Sequence, residues 1–103
     1  MKALLLQELL IRFFDEHLRQ QRQVSPHTVL AYRDAFRLLL RFLKRTYHVR
    51  PAALELSGLN PERVLAFLAH LEQQRANSVC SRNARLAAIR SFAHYAEDTL
   101  GPD

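Results

Sequence analysis

The chain has little of what several protein classes require. Its one cysteine, Cys80, cannot form an intramolecular disulfide, so a stapled secreted scaffold is excluded, in keeping with a reducing cytoplasm as the expected compartment. Two glycines and four prolines in 103 residues are too few for the many tight turns of an all-β fold. No stretch approaches the roughly 20 consecutive apolar residues of a membrane span. Met1 to Leu6 begins like a signal peptide, but Gln7 and Glu8 interrupt the apolar run. No small-residue cleavage site follows, so no cleaved leader is expected. Phosphate loops, nucleotide fingerprints and Ser-His-Asp constellations are missing as well. The five histidines (His17, His27, His48, His70, His94) show no metal-ligand spacing, and one thiol cannot complete a zinc site. Neither a metal nor a cofactor is expected.

Apolar residues make up 49% of the chain and charged residues 24%, the balance of a globular domain rather than a disordered segment. The length fits one domain, residues 1–103, large enough to bury a core. A net charge of +5 and a pI near 10.1 favour polyanionic partners: nucleic acid first, an anionic membrane surface second. The charge is concentrated. Residues 25–50 carry six basic side chains (Arg33, Arg37, Arg41, Lys44, Arg45, Arg50) against one acid, Asp34, so this segment alone is +5. A local excess marks a binding face better than a global one.

The hydrophobic pattern predicts four helices and no strands. The first spans about Ala3 to Gln21, with Leu6, Leu9, Leu10, Phe13, Phe14 and Leu18 at helical spacing; Leu4 and Leu5 make its start unusually apolar. The second opens at Ser25-Pro26, an N-cap followed by a proline suited to the first helical position. Val29, Tyr32, Phe36, Leu39, Leu40, Leu43 and Tyr47 share one face, while Ala35, Leu38 and Phe42 on a flank point to a second packing neighbour. A loop from His48 to Leu59 follows, with an extra turn expected near 52–56. The third helix starts at Asn60-Pro61, buries Val64, Phe67, Leu68 and Leu71, and ends near Arg75 to Asn77. The fourth is capped by Ser78 and runs to about Thr99. Val79, Leu86, Ile89, Ala93 and Ala96 form its stripe, Phe92 lies at the edge, and Gly101-Pro102 stops it.

The charges of the fourth helix run against its dipole. Arg82, Arg85 and Arg90 sit in the first half, Glu97 and Asp98 at the end. Each such placement opposes helix stability by typically ~0.3–1 kcal/mol. An anion docking at the helix start would make them useful.

Two stretches carry a family resemblance. One is Ser25-Pro26-His27-Thr28, then Ala31-Tyr32-Arg33 with Phe36 and Leu40 behind it. The other is Asn77-Ser78, then Ser81 through Phe92 (SRNARLAAIRSF), with Leu59-Asn60-Pro61-Glu62 between the two. Over about residues 6 to 98 the chain resembles the N-terminal core-binding domain of phage-integrase and Xer-type tyrosine recombinases. It departs at Ala84, basic in many members, and at Cys80, polar or basic in others. The resemblance implies an orthogonal, SAM-like four-helix bundle that clamps one side of a recombination site. The second and fourth helices would present their N-terminal halves to double-stranded DNA. Recombination in the family proceeds through a tetramer, and strand cutting belongs to a C-terminal domain whose motifs are absent here. The fragment is therefore expected not to cleave DNA and to be monomeric alone.

On that reading, Ser25, Thr28, Ser78 and Ser81 donate hydroxyls to phosphates, and Arg33, Arg82, Arg85 and Arg90 neutralise phosphates or read guanine edges. His27, Thr28, Arg82, Asn83 and Arg85 are candidates for reaching bases. Plainer readings stand beside these. Ser25 and Ser78 are sufficiently explained as caps; for Asn83 the alternative is satisfying a local backbone group, for Arg90 an ion pair, and for Arg37 and Arg41 a solvated face. Cys80 reads as a reactive thiol at a helix start or as a small packing residue. Tyr32, Tyr47 and Tyr95 read as aromatics at the core or its edge. Charge reversal at Arg82 and Arg85 is expected to weaken binding without unfolding the domain. Two rival functions remain: a helical protein-interaction module using Leu4 and Leu5, and a bundle touching anionic membranes, which the polar, capped helices oppose.

Overall fold

A computed structural model describes residues 5–21, 23–74 and 79–100. These form an all-α fold, and among them no β-strand occurs. Helix α1 is Leu6–Arg12 and continues as a π-helical stretch, Phe13–Gln21. Helix α2 is Pro26–Tyr47, α3 Pro61–Gln74 and α4 Val79–Leu100. The four predicted helices are all there. None is long and apolar enough to cross a membrane among the described residues.

The first helix starts later than its sequence suggests. Leu5 is extended and pairs with Glu55 in an isolated antiparallel bridge, and the Leu6 N–H donates to the Leu54 carbonyl at 2.9 Å. With no side-chain cap at Leu5, the connection between α2 and α3 supplies the acceptor that a helix start needs. Leu5 is half-buried and tied down on the domain itself, which leaves it less free than the protein-interaction reading requires. Leu4 lies outside the described residues.

The winding of residues 13–21 also departs from expectation. Phe13 and Leu18 are both buried, at 0% and 1% exposure. Five residues apart, they diverge by about 140° on an α-helix of 3.6 residues per turn. The wider i→i+5 winding brings them back onto one face. The stretch gives way to Gln23, in the left-handed region at φ 50°, and the Val24 N–H returns to the Leu18 carbonyl at 3.1 Å.

Helix α2 follows its local signals. Ser25 is extended, its Oγ accepts from the Thr28 N–H at 3.2 Å, and Pro26 fills the first helical position. Ser25→Ala is expected to destabilise the domain by about 1 kcal/mol, read as a lower urea midpoint. An unchanged midpoint would remove the cap from the account. At the other end His48 takes the left-handed conformation (φ 59°) and its N–H donates to the Lys44 carbonyl. The single turn expected near 52–56 is instead two 3₁₀ turns, Pro51–Ala53 and Leu56–Gly58. They are divided at Leu54, which is buried, and Glu55, which makes the bridge. A Cβ at Gly58 would stand 2.6 Å from Leu54 Cδ1, so a larger residue there would have to displace the end of that side chain. Arg63 stitches the connection to the bundle: it donates to the Gly58 carbonyl at 3.1 Å and lies over the Tyr47 ring at 4.5 Å. Asn60 caps α3, accepting from the Arg63 N–H at 2.9 Å.

One core joins all four helices: Leu6, Leu9 and Phe13 meet Phe36, Leu39 and Leu43 of α2, Phe67 and Leu71 of α3, and Ile89 and Phe92 of α4. In α4 the expected stripe is rotated. Ala88, Phe92 and Tyr95 are buried whereas Ala93 is exposed. Packing against α2, α3 and the π-helical stretch together selects a face centred on Phe92, because several neighbours demand a wider apolar sector than one. The cap at Ser78, the third helix's end at 75–77 and the stop at Gly101-Pro102 lie outside the described residues.

Candidate nucleic-acid interface

The sequence directs attention to the first halves of α2 and α4. Neither helix has an acid in its first turn, so the partial positive charge of each start is left uncompensated by the chain. The two helices pack on each other. A polar contact fixes their relation: Arg85 Nη2 of α4 donates to Asp34 Oδ2 of α2 at 3.3 Å. Arg85 Nη1 also reaches the Ser81 carbonyl at 3.4 Å. Asp34 is shared, since its Oδ1 accepts from Arg37 Nη2 at 2.7 Å.

The candidate residues separate into three groups. At the start of α2, Ser25 and His27 are exposed and Thr28 is half-buried, with the two hydroxyl oxygens of Ser25 and Thr28 3.1 Å apart. On α4, Asn83 and Arg90 are exposed and line an open groove of about 810 Å³ with Tyr32 of α2, His17 of the π-helical stretch, His94 and Tyr95. Arg82 and Arg85 form the third group and are half-buried. Arg82 Nε stands 3.0 Å from Glu72 Oε1 of α3, and its Nη1 lies 3.4 Å from Asn83 Oδ1. Among the described residues, Asn83 has a side-chain contact with Arg82 and none with a backbone group, and Arg90 has no ion pair.

Arg33 stands apart from the groove of Asn83 and Arg90. It is exposed and lines a separate cleft between α1 and α2, with Ile11, Phe14, Arg19, Val29 and Arg37. Ser81 is half-buried. Ser78 and the Cys80 side chain fall outside what the structure describes.

The inverted charge order of α4 has an internal explanation. Arg82 and Arg85 bind α4 to Glu72 and Asp34 of its neighbours, so an ion pair offsets the unfavourable dipole placement of these two, though not that of Arg90. Arg82, on the apolar side of α4, reaches solvent and Glu72 at the end of the bundle. Charge reversal at these two positions would set carboxylates against carboxylates across two helix interfaces. The expectation that it leaves the fold untouched therefore no longer holds. Two contributors escaped the sequence: Glu72 and, above all, Asp34. The signal for Asp34 was available, as the one acid in the basic segment and three residues before Arg37. No group of three His, Cys, Asp or Glu side chains suited to a metal ion occurs among the described residues.

Residues 11–99 match the model of the phage integrase N-terminal SAM-like domain family. The chain belongs to that family. Within it, the chain is 48% identical over 92 residues to "Putative integrase/recombinase y4rD" of Sinorhizobium fredii (strain NBRC 101917 / NGR234), an alignment covering 89% of this chain and 33% of that protein. It is 38% identical over 80 residues to "Tyrosine recombinase XerC" of Pseudomonas fluorescens, covering 78% of this chain and 25% of the relative. This SAM-like domain thus spans about a quarter to a third of these relatives' length. No solved structure matches it. The all-α bundle read from the sequence agrees with the family's fold, and the matched segment contains both helix starts.

Proposed function

We propose that this SAM-like domain is the DNA-binding N-terminal part of a site-specific tyrosine recombinase or integrase. It clamps duplex DNA at the recombination site and supplies affinity, positioning and part of the sequence preference. Cutting and rejoining of strands belongs to the remainder of such a recombinase, which acts as a tetramer on paired sites in the cytoplasm. Residues 1–103 form one domain, monomeric alone. The observation that carries this reading is the side-by-side packing of two helices whose starts lack acids, with Asn83 and Arg90 lining an open groove along α4 that Tyr32 of α2 and Asp98 of α4 also line. Ser25, Thr28, Ser78 and Ser81 offer hydroxyls to phosphates, His27 and Asn83 reach towards base edges, and Arg33 and Arg90 neutralise phosphates. Arg82 contacts DNA while tied to Glu72, and Arg85 does so when a phosphate takes the place of Asp34.

Fluorescence anisotropy with a labelled duplex tests it. The expected result is binding whose log K falls linearly with log salt, by about 0.9 for each phosphate neutralised. No interaction with any duplex at low salt would reject the reading.

A second reading, a protein-interaction module, draws on Ile11 and Leu30, which are 62% and 60% exposed beside the α1–α2 clefts. Concentration-dependent association without DNA affinity would favour it.

A further inference from the structure

We propose that Asp34 determines specificity by restraint: its carboxylate occupies Arg37 and Arg85 in place of phosphate and so limits non-specific duplex binding. This rests on the DNA-binding reading above. Three observations lead to it. Asp34 is the one acid among six basic residues in segment 25–50. Both of its oxygens are used, Oδ1 by Arg37 on its own helix at 2.7 Å and Oδ2 by Arg85 of α4 at 3.3 Å. It also remains 40% exposed, so its pair with Arg37, itself 62% exposed, lies where a ligand can compete for it, while Arg85 is half-buried at 18%.

A carboxylate and a phosphate are similar acceptors for a guanidinium, since both offer anionic oxygens to its planar donors. Exposed ion pairs contribute little to stability, about 0–1 kcal/mol. Exchange of Asp34 for a phosphate is therefore cheap for the fold at the exposed Arg37, and costs more at the half-buried Arg85. It is not free for binding, because the displaced carboxylate stays beside the incoming phosphate and repels it. A duplex that offers only backbone phosphates gains little from the exchange. A site that also engages Asn83 or His27 through base edges offsets the repulsion. Asp34 is thus a positioning residue for Arg85 and a brake on Arg37. The groups facing its carboxylate from the elements around it are Arg37 on α2 and Arg85 on α4, with the exposed Arg33 next in sequence.

The test uses the whole chain and a duplex of arbitrary sequence. Asp34→Asn keeps the size and an acceptor for Arg85 but removes the charge. It is expected to tighten binding about tenfold at 50 mM salt and to steepen the slope of log K against log salt by about 0.9 for each arginine released. A merely structural role for Asp34 would weaken binding and leave the slope unchanged or shallower. Arg37→Gln, an exposed change that does not threaten folding, is the companion variant. Alone it is expected to shift the slope by less than about 0.3, and in the Asp34→Asn background to remove about 0.9 of the gain. Unchanged or weaker binding by folded Asp34→Asn overturns the inference, as does a full loss of 0.9 for Arg37→Gln alone. Failure of the unsubstituted chain to bind any duplex is a separate result that rejects the DNA-binding reading itself, and this inference with it.

Discussion

Replacing Arg33 and Arg90 together with glutamine is expected to lower duplex affinity about 100-fold at low salt and to flatten the salt slope by about 1.8. Both side chains are exposed, and neither has a hydrogen bond or ion pair among the described residues. Their charge is therefore available to a ligand without loss of an internal contact. They lie in different clefts, Arg90 in the groove along α4 and Arg33 between α1 and α2. A duplex that loses both contacts loses two neutralised phosphates, and the effects should add if the sites are independent. The same variant should melt within about 0.5 kcal/mol of the unsubstituted domain, as surface changes outside special features do. Arg82 and Arg85 offer no such clean separation, because Glu72 and Asp34 hold them. Retained affinity in the folded double variant would move the DNA face away from these clefts.

Phe13→Ala is expected to cost about 3–5 kcal/mol, a large part of the 5–15 kcal/mol that holds a typical domain together. The ring is fully buried at the junction of α1, the π-helical stretch, α2 and α4. It meets Phe92 edge-on at 5.4 Å, Tyr95 at 5.5 Å, Phe36 at 6.4 Å and, stacked, His17 at 5.6 Å. Truncation leaves a cavity that four separate elements would have to close, so relaxation recovers little. His17, Tyr32 and Tyr95 line the candidate groove and rest on this ring, so weaker duplex binding should accompany the loss of stability. Phe13→Leu, nearer in volume, should cost about 1.5 kcal/mol or less. Urea denaturation measures both, and a loss under about 1 kcal/mol for the alanine variant would show that Phe13 is not the centre of the core.

Much of the fold is legible in the sequence because its signals are local. Ser25-Pro26 and Asn60-Pro61 place helix starts where the structure has them, since a cap is satisfied within three residues. The buried faces of α2 and α3 follow from periodicity, each helix being regular throughout. Two features of the fold escape for reasons beyond the local pattern. The start of α1 is set by a hydrogen bond to Leu54, distant in sequence. The face of α4 is set by several neighbours at once, which moves its centre to Phe92 and leaves Ala93 in solvent. Among the site residues, sequence gives chemistry but not engagement. Arg82, Arg85 and Arg90 look alike as letters, yet the first two are ion-paired and the last faces an open groove. Asp34 is the corresponding blind spot, a lone acid whose weight lies in a partner 51 positions away.

The π-helical stretch bears on how this chain is compared with its kin. Because Phe13–Gln21 uses more residues per turn than an α-helix, the same rotation consumes additional sequence. A relative that winds the segment as an ordinary α-helix would carry Phe13 and Leu18 in the same places with one residue fewer between them. Alignments that forbid a gap there would shift the partners of His17 by one position. Loop-like insertions and deletions are usually sought between helices; here the place to look for one is inside the first.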